Sequence, residues 1–140
     1  MNFFTITTIF NMKKIILIFT LLCTTVSFSS NSFGEWKYVA SSDDGTSVYI
    51  DFDLIRKHDG YVYFWALEDL LKPDQDGDMS YINYYQCDCN IFRFKHLSAS
   101  YYKQAMGNGT VKNVTNENPE WIQVTPNTIM KAYLELVCSL

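Results

Sequence analysis

The sequence predicts an α+β fold in which an antiparallel meander sheet carries a single C-terminal helix. Two observations lead to this prediction. Runs rich in aromatic and β-branched residues alternate with short turn sequences between Trp36 and Tyr102, which is the pattern of successive antiparallel strands. The last sixteen residues instead repeat apolar side chains at helical spacing and contain no helix breaker after Pro126.

Five segments are predicted as strands, in the order EWKYVA, TSVYIDF, YVYFWALE, MSYINYYQC and IFRFKHLSASYY. The intervening sequences SSDDG, KHDG and PDQDGD are predicted as turns because they are rich in Gly, Asp and Pro. Alternation gives the third strand two apolar faces, one formed by Tyr61, Tyr63, Trp65 and Leu67 and the other by Val62, Phe64 and Ala66. We therefore expect this strand to be central and covered on both sides.

The C-terminal segment predicts an amphipathic helix with Thr125 as its N-cap and Pro126 at its first position. Lys131 and Glu135 lie opposite a broad apolar stripe, which is formed by Ile129, Met130, Tyr133, Leu134, Leu136 and Val137. We expect this stripe to pack on the sheet. Cys138 lies at the edge of the stripe, within reach of whatever the helix covers.

Residues 1–29 predict a secretory signal peptide, with Met12 as the functional start. Two lysines follow Met12, an apolar run extends from Ile15 to Leu22, and small residues precede Ser30. This run is shorter than the ~20 apolar residues that span a bilayer, so no transmembrane span is expected. Cys23 follows two leucines rather than the small residue of a lipoprotein cleavage site, so we expect it to be discarded with the signal. Residues 30–140 are then an exported single domain.

From residue 30 onward the chain carries nine basic and fifteen acidic residues without a basic cluster. This balance argues against nucleic acid and anionic membrane surfaces as partners. The sequence contains neither a nucleophile motif of the G-x-S-x-G type nor a phosphate-binding loop. His58 and His96 both lie in polar local sequence. We therefore expect a protein that is not an enzyme and has no cofactor.

The sequence DQDGD at residues 74–78 resembles the start of a calcium-binding loop. An EF-hand requires Gly at the sixth and Glu at the twelfth loop position, whereas here Gly77 is fourth and Tyr85 is twelfth. The segment is therefore predicted to be a solvated acidic turn. A zinc site is not expected either, because the thiols are accompanied only by His58 and His96, without the usual paired spacings.

Three cysteines remain beyond the predicted signal: Cys87, Cys89 and Cys138. An exported chain favours a disulfide among them. Cys87 and Cys89 share one face of a strand, so either can meet Cys138 under the helix. Side chains two apart on a strand are separated by about 6–7 Å, and bridged Cα atoms lie within ~7 Å of each other. The residues alone therefore leave both pairings open.

The order of several short motifs resembles the surface-adhesin protein E family of Gram-negative bacteria. The motifs are WKYV, VYIDFDLI, VYFWALE, CDC followed by RFKHL, MGNG, and TPNT before a helix that ends at Cys138. The resemblance implies about six antiparallel strands, with the helix tied to the concave face of the sheet by one disulfide. By position in the motifs it implies that Cys89 pairs with Cys138 and that Cys87 is a free, partly buried thiol.

The resemblance also implies a non-enzymatic binding protein of the bacterial cell surface that contacts host extracellular-matrix proteins, and it implies a homodimer. The alternative is a periplasmic structural or assembly factor that pairs through its sheet face or edge. Ten tyrosines and three tryptophans supply rigid contact area with polar tips. Tyr101, Tyr102 and Trp121 lie near loop-rich sequence and are the predicted contacts to a protein partner.

Overall fold

The computed structural model describes residues 34–140, in which one sheet is accompanied by one α-helix. The strands are β1 (Trp36–Ser41), β2 (Ser47–Asp51), β3 (Arg56–His58), β4 (Tyr61–Asp69), β5 (Ser80–Asp88), β6 (Arg93–Gln104), β7 (Asn108–Thr115) and β8 (Ile122–Gln123), and helix α1 spans Ile129–Ser139. The predicted signal peptide, with Met12 and Cys23, lies outside the described residues and stays a prediction.

The sheet is an antiparallel meander in the order β1-β2-β4-β5-β6-β7. β3 also pairs with β4, and β8 also pairs with β6. The chain leaves the sheet after β2 and returns as β3, and both of these strands pair with β4. It leaves again after β7 and returns as β8, and both of these strands pair with β6. The prediction of an α+β meander with about six strands is confirmed.

The break between β2 and β3 is held by a buried carboxylate. Asp51 is fully buried, and its Oδ1 accepts hydrogen bonds from the backbone N–H groups of Asp53 at 3.0 Å and Leu54 at 3.2 Å. Its Oδ2 accepts a third bond from the N–H of Gly34. These donors offset the cost of burying the carboxylate, and they turn the chain through the short 3₁₀ helix Phe52–Leu54.

Helix α1 covers one face of the sheet and forms the core with it. The Tyr133 ring lies 5.7 Å from the Phe64 ring and 6.3 Å from the Tyr85 ring, measured between centroids. The buried cluster comprises Val48, Ile50, Val62, Phe64, Ala66, Tyr85, Cys87, Tyr133, Leu134 and Val137. The predicted apolar stripe of the helix is therefore the surface that packs on the sheet.

The helix begins later than predicted, at Ile129 rather than Pro126, and Thr128 rather than Thr125 is its N-cap. The Thr128 hydroxyl accepts a hydrogen bond from the Lys131 N–H at 3.3 Å and donates one to the Thr125 carbonyl at 2.7 Å. Asn127 has a φ of 60°. This left-handed conformation interrupts any helix that starts at Pro126.

A disulfide joins Cys89 to Cys138, with the two Cα atoms 5.6 Å apart, and Cys87 is free. The bridge ties the last turn of α1 to the turn that follows β5. Cys87 is fully buried rather than partly buried as predicted. It lies beneath the helix, between Val62 on β4 and Phe94 on β6.

Candidate binding face

The face of the sheet opposite α1 carries an aromatic row, and we call this face the open face. Strand register places Tyr38 opposite Tyr49 on one pair of strands and Trp65 opposite Tyr84 on another. Tyr63 lies two residues before Trp65 on β4 and so shares its side of the sheet. The aromatic row is therefore formed by Tyr38, Tyr49, Tyr63, Trp65 and Tyr84.

The rings of the aromatic row are packed on one another and remain partly exposed. Trp65 stacks on Tyr84 with centroids 4.4 Å apart, and the Tyr63 ring lies 6.2 Å from the same tyrosine. At the sheet edge, Tyr38 meets Tyr49 edge-on at 5.7 Å and is 60% exposed. Ring pairs of this kind contribute energy beyond their area and fix each other's orientation.

One end of the open face is covered by the connection between β6 and β7. The N–H of Met106 donates to Asp69 Oδ1 at 2.6 Å, and the N–H of Gly107 donates to Ser80 Oγ at 2.9 Å. This segment covers Leu67 and Ile82, which are fully buried although they face away from α1. The prediction that β4 is covered on both sides is therefore correct at Leu67 and wrong at Tyr63 and Trp65, which remain partly exposed.

The opposite end of the open face is built around Trp121. Its ring lies 5.3 Å from the Tyr61 ring, with the Arg93 guanidinium 4.3 Å and the Lys95 ammonium 4.8 Å from its centroid. Arg93 also forms an ion pair with the mostly buried carboxylate of Asp88 at 3.2 Å. Cation–π contact and this ion pair together hold the indole against the sheet. We call this group of Tyr61, Arg93, Lys95 and Trp121 the Trp121 corner.

The structure separates the three residues that were predicted to contact a partner. Consecutive strand residues point to opposite faces, so Tyr101 and Tyr102 lie on opposite sides of β6. Tyr101 is on the helix-bearing face, where its ring packs edge-on against Tyr81 at 5.3 Å, whereas Tyr102 is on the open face opposite Val111. Only Tyr102 and Trp121 can therefore belong to the same surface, and their contact with a partner stays a prediction.

Sequence reasoning missed the aromatic row as a surface feature. The alternation in YVYFWALE correctly assigned Tyr61, Tyr63 and Trp65 to one face, but that face was expected to be covered. The pattern could not show that the covering segment, Ala105–Gly107, reaches only as far as Leu67 and Ile82.

The acidic turn brings the carboxylates of Asp74, Asp76 and Asp78 together, with one oxygen of each within 4.8 Å of the others. Donors of the protein itself occupy carboxylate oxygens of Asp74 and Asp78. Asp74 Oδ1 accepts from the N–H groups of Asp76 and Asp78 at 2.9 and 2.8 Å, and its Oδ2 accepts from the Tyr81 hydroxyl at 2.7 Å. Lys103 forms an ion pair with Asp78 at 2.8 Å. These contacts favour the predicted solvated acidic turn over a calcium loop.

Three polar side chains form a hydrogen-bonded row across β4, β5 and β6 on the helix-bearing face. Asn83 Nδ2 donates to Glu68 Oε1 at 3.1 Å, and His96 Nε2 lies 3.1 Å from Asn83 Oδ1. Burial raises the pKa of the Glu68 carboxyl, with a smaller contribution from the charge of Asp44, and burial lowers the pKa of His96. This row connects the acid Glu68 to the base His96 through the amide of Asn83, which is not a nucleophile. We therefore interpret the row as structural.

Within residues 34–140, no helix combines the length and apolar character needed to cross a membrane.

Comparison with known proteins agrees with the geometry. The family model for surface-adhesin protein E matches residues 36–139. Crystal form II of Haemophilus influenzae protein E superposes with a TM-score of 0.58 at 17% identity, over 79% of this chain and 94% of that one. The selenomethionine form of H. influenzae protein E superposes with a TM-score of 0.57 at 17% identity, over 73% of this chain and 85% of that one. Protein E from non-typeable H. influenzae superposes with a TM-score of 0.53 at 17% identity, over 73% of this chain and 75% of that one. These structures share the fold of the sheet and helix, whereas no curated protein sequence matches the chain. This chain is therefore a member of the surface-adhesin protein E family.

Proposed function

We propose that this chain is an exported, adhesin-like protein that binds protein partners with its open face. The observation that carries the proposal is the aromatic row, which presents five partly exposed rings on a sheet face that α1 does not cover. Tyr, Trp and Arg are the residue types that dominate binding energy at protein interfaces. The aromatic row and the Trp121 corner supply all three on one surface, and membership of a surface-adhesin family supports a binding role.

The open face is also organised in advance of binding. Trp65 and Tyr84 already stack at 4.4 Å, and Trp121 is already held by Arg93 and Lys95. Side chains that are ordered before association lose less rotamer freedom when a partner covers them. A larger part of the contact energy therefore appears as affinity.

Host extracellular-matrix proteins are the partner class that we propose for this face, as the family resemblance implies. The test is solid-phase binding of the purified protein to a panel of extracellular-matrix proteins. The Trp65→Ala/Tyr84→Ala double variant should bind at least about tenfold more weakly, because it removes two interface rings. The matched control is Tyr101→Ala, which removes a ring from the helix-bearing face and should bind like wild type. Equal binding by the double variant contradicts the proposal.

Cell-surface location is the second part of the proposal, and protease treatment of intact cells tests it. A surface protein is cleaved without breaking the outer membrane. Full protection in intact cells, with cleavage after the outer membrane is opened, contradicts surface adhesion and supports the periplasmic assembly factor instead.

We also propose that, in the absence of a matrix partner, the chain self-associates as a homodimer through the open face, and that the partner displaces the second copy. The aromatic row presents apolar surface that a second copy can bury. Sedimentation at tens of micromolar should show a dimer for wild type and a monomer for Trp65→Ala/Tyr84→Ala. A wild-type protein that remains monomeric under these conditions contradicts this proposal.

A further inference from the structure

The Cys89–Cys138 disulfide lines a surface cleft, unlike Cys87, the free cysteine among the described residues. The cleft has a volume of about 330 Å³ and lies beside the hairpin that joins β3 to β4. Both bridged cysteines line it, together with Lys57, His58 and Asp59. Cys87 is fully buried and is not part of its lining.

We propose that the Cys89–Cys138 disulfide is a thiol–disulfide exchange site that an external thiolate reaches through this cleft while the protein is folded. Exchange requires access of the attacking sulfur to one sulfur of the bridge, and both bridged cysteines line the cleft and are only half-buried. Lys57 is one of the lining residues, and its positive charge favours an anionic nucleophile. Asp59 also lines the cleft, and its Oδ2 lies 3.0 Å from His58 Nε2, so this carboxylate oxygen is turned toward the imidazole.

The substrate class is a thiol reductant, carried either by a small monothiol or by a dithiol protein. In the first step the incoming thiolate forms a bond to one bridge sulfur, and the other bridge sulfur leaves with the electron pair and takes a proton from solvent. In the second step another thiolate of the reductant attacks the reductant's sulfur in the mixed disulfide, and the protein sulfur leaves with the electron pair and takes a proton from solvent. The reductant ends as a disulfide, and Cys89 and Cys138 end as two thiols.

Cys87 takes no part in this exchange. Burial raises the pKa of its thiol to about 12, so the reactive thiolate is scarce at neutral pH. Its position inside the core also keeps it away from the solvent-exposed cleft. The neighbouring thiol therefore does not capture Cys138 once the bridge opens.

The helix remains docked after the bridge is reduced. Tyr133, Leu134 and Val137 are fully buried in the cluster between α1 and the sheet, whereas Cys89 and Cys138 are only partly buried against it. Exchange should consequently loosen the last turn of the helix and lower the free energy of unfolding, while these apolar contacts keep the domain folded.

The test exposes the folded protein, without denaturant, to reduced glutathione in one arm and to thioredoxin with its reductase and NADPH in the other. Free thiols are then alkylated and mapped by mass spectrometry. We expect label on Cys89 and Cys138 and none on Cys87, with an unchanged far-ultraviolet circular dichroism spectrum. Reaction in only one arm assigns the reductant to a small monothiol or to a dithiol protein. Reduction that occurs in neither arm, or only together with labelling of Cys87, overturns the proposal.

A charge-reversal pair tests the route of entry. Lys57→Glu should slow reduction by the anionic glutathione about two- to fivefold, because a favourable charge beside the bridge becomes a repulsive one. The matched control is Lys112→Glu on the exposed strand β7, which makes the same change of net charge away from the cleft. Equal rates for the two variants overturn the assignment of the cleft as the entry route.

Discussion

The Trp65 indole stacks on the Tyr84 ring, with centroids 4.4 Å apart and planes 20° apart, across the two central strands of the sheet. The pair lies on the face that α1 leaves open, between the covered end at Leu67 and the Trp121 corner. Stacked rings form a stiff apolar surface with polar edges. The register of β4 and β5 places Trp65 opposite Tyr84, and the stacked pair that results is the centre of the binding surface that we propose.

Removal of the disulfide should destabilise the domain far more than truncation of the free thiol. The bridge spans a sequence separation of 49 residues, and in the chain-entropy model a loop of this length contributes about 4 kcal/mol. We expect Cys138→Ser to lower the free energy of unfolding by several kcal/mol, and Cys87→Ala to lower it by about 1 kcal/mol for one lost buried atom. Urea denaturation of both variants measures the difference, and equal losses contradict the assigned pairing.

Gly107, in the segment that covers one end of the open face, should tolerate substitution poorly. Its φ is +70°, and an added Cβ lies 2.8 Å from Cδ1 of Ile82. Gly107→Ala should cost about 2 kcal/mol from backbone strain and overpacking together. Gly77→Ala is the control, because its φ is +79° but no atom lies within 4 Å of its added Cβ. If thermal denaturation shows equal costs, the contact with Ile82 does not matter.

Glu68 should make the protein less stable as the pH rises. Burial raises the pKa of its carboxyl in the folded state, so the folded state holds this proton more tightly than the unfolded state. The sign follows from linkage: the stabilising effect is complete below the unfolded pKa of about 4.5 and is lost as the pH rises through the raised pKa.

Glu68→Gln should therefore be more stable than wild type at pH 7, and the gain should vanish near pH 4. The amide keeps an acceptor for Asn83 while it removes the buried charge. Glu117→Gln, at an exposed position, is the control. Chemical denaturation of wild type and both variants at pH 4 and pH 7 measures the change in stability. A Glu68→Gln variant that is less stable than wild type at pH 7 contradicts the predicted direction of the pH dependence.

Tyr133 carries a buried hydroxyl that has no hydrogen-bond partner among the described residues. Tyr133→Phe keeps the ring contacts with Phe64 and Tyr85 and removes the unpaired polar group. We expect the free energy of unfolding to stay equal or to rise by about 1 kcal/mol. A loss above about 1 kcal/mol in chemical denaturation shows that the hydroxyl is satisfied in solution.

The strands that could be predicted from sequence are those with at least one buried or partly buried face. β2, β4 and β5 alternate or repeat apolar residues because they lie over the core. β3 and β7 expose every residue, so burial selects no apolar pattern in RKH or NGTVKNVT. They belong to the sheet through backbone hydrogen bonds to β4 and β6, which leave no trace in side-chain periodicity.

Helix α1 and the binding face also combine features that the sequence predicts with features that it does not. The apolar stripe of α1 was predictable because burial selects its spacing, whereas its start was not, because the left-handed conformation of Asn127 moves the cap to Thr128. The pairing of Cys89 came from family resemblance, since residue spacing left both pairings open. The exposure of Trp65 and Tyr84 depends on where the segment Ala105–Gly107 ends, and that is a tertiary feature.

Radical footprinting of the complex tests the central claim most directly. The matrix protein that binds in the solid-phase panel is mixed with the folded chain, and oxidation of tyrosine and tryptophan is mapped by mass spectrometry with and without it. The proposal predicts strong protection of Tyr63, Trp65 and Tyr84 and unchanged oxidation of Tyr101. Protection of Tyr101 with unchanged oxidation of the aromatic row contradicts the assignment of the open face as the binding surface.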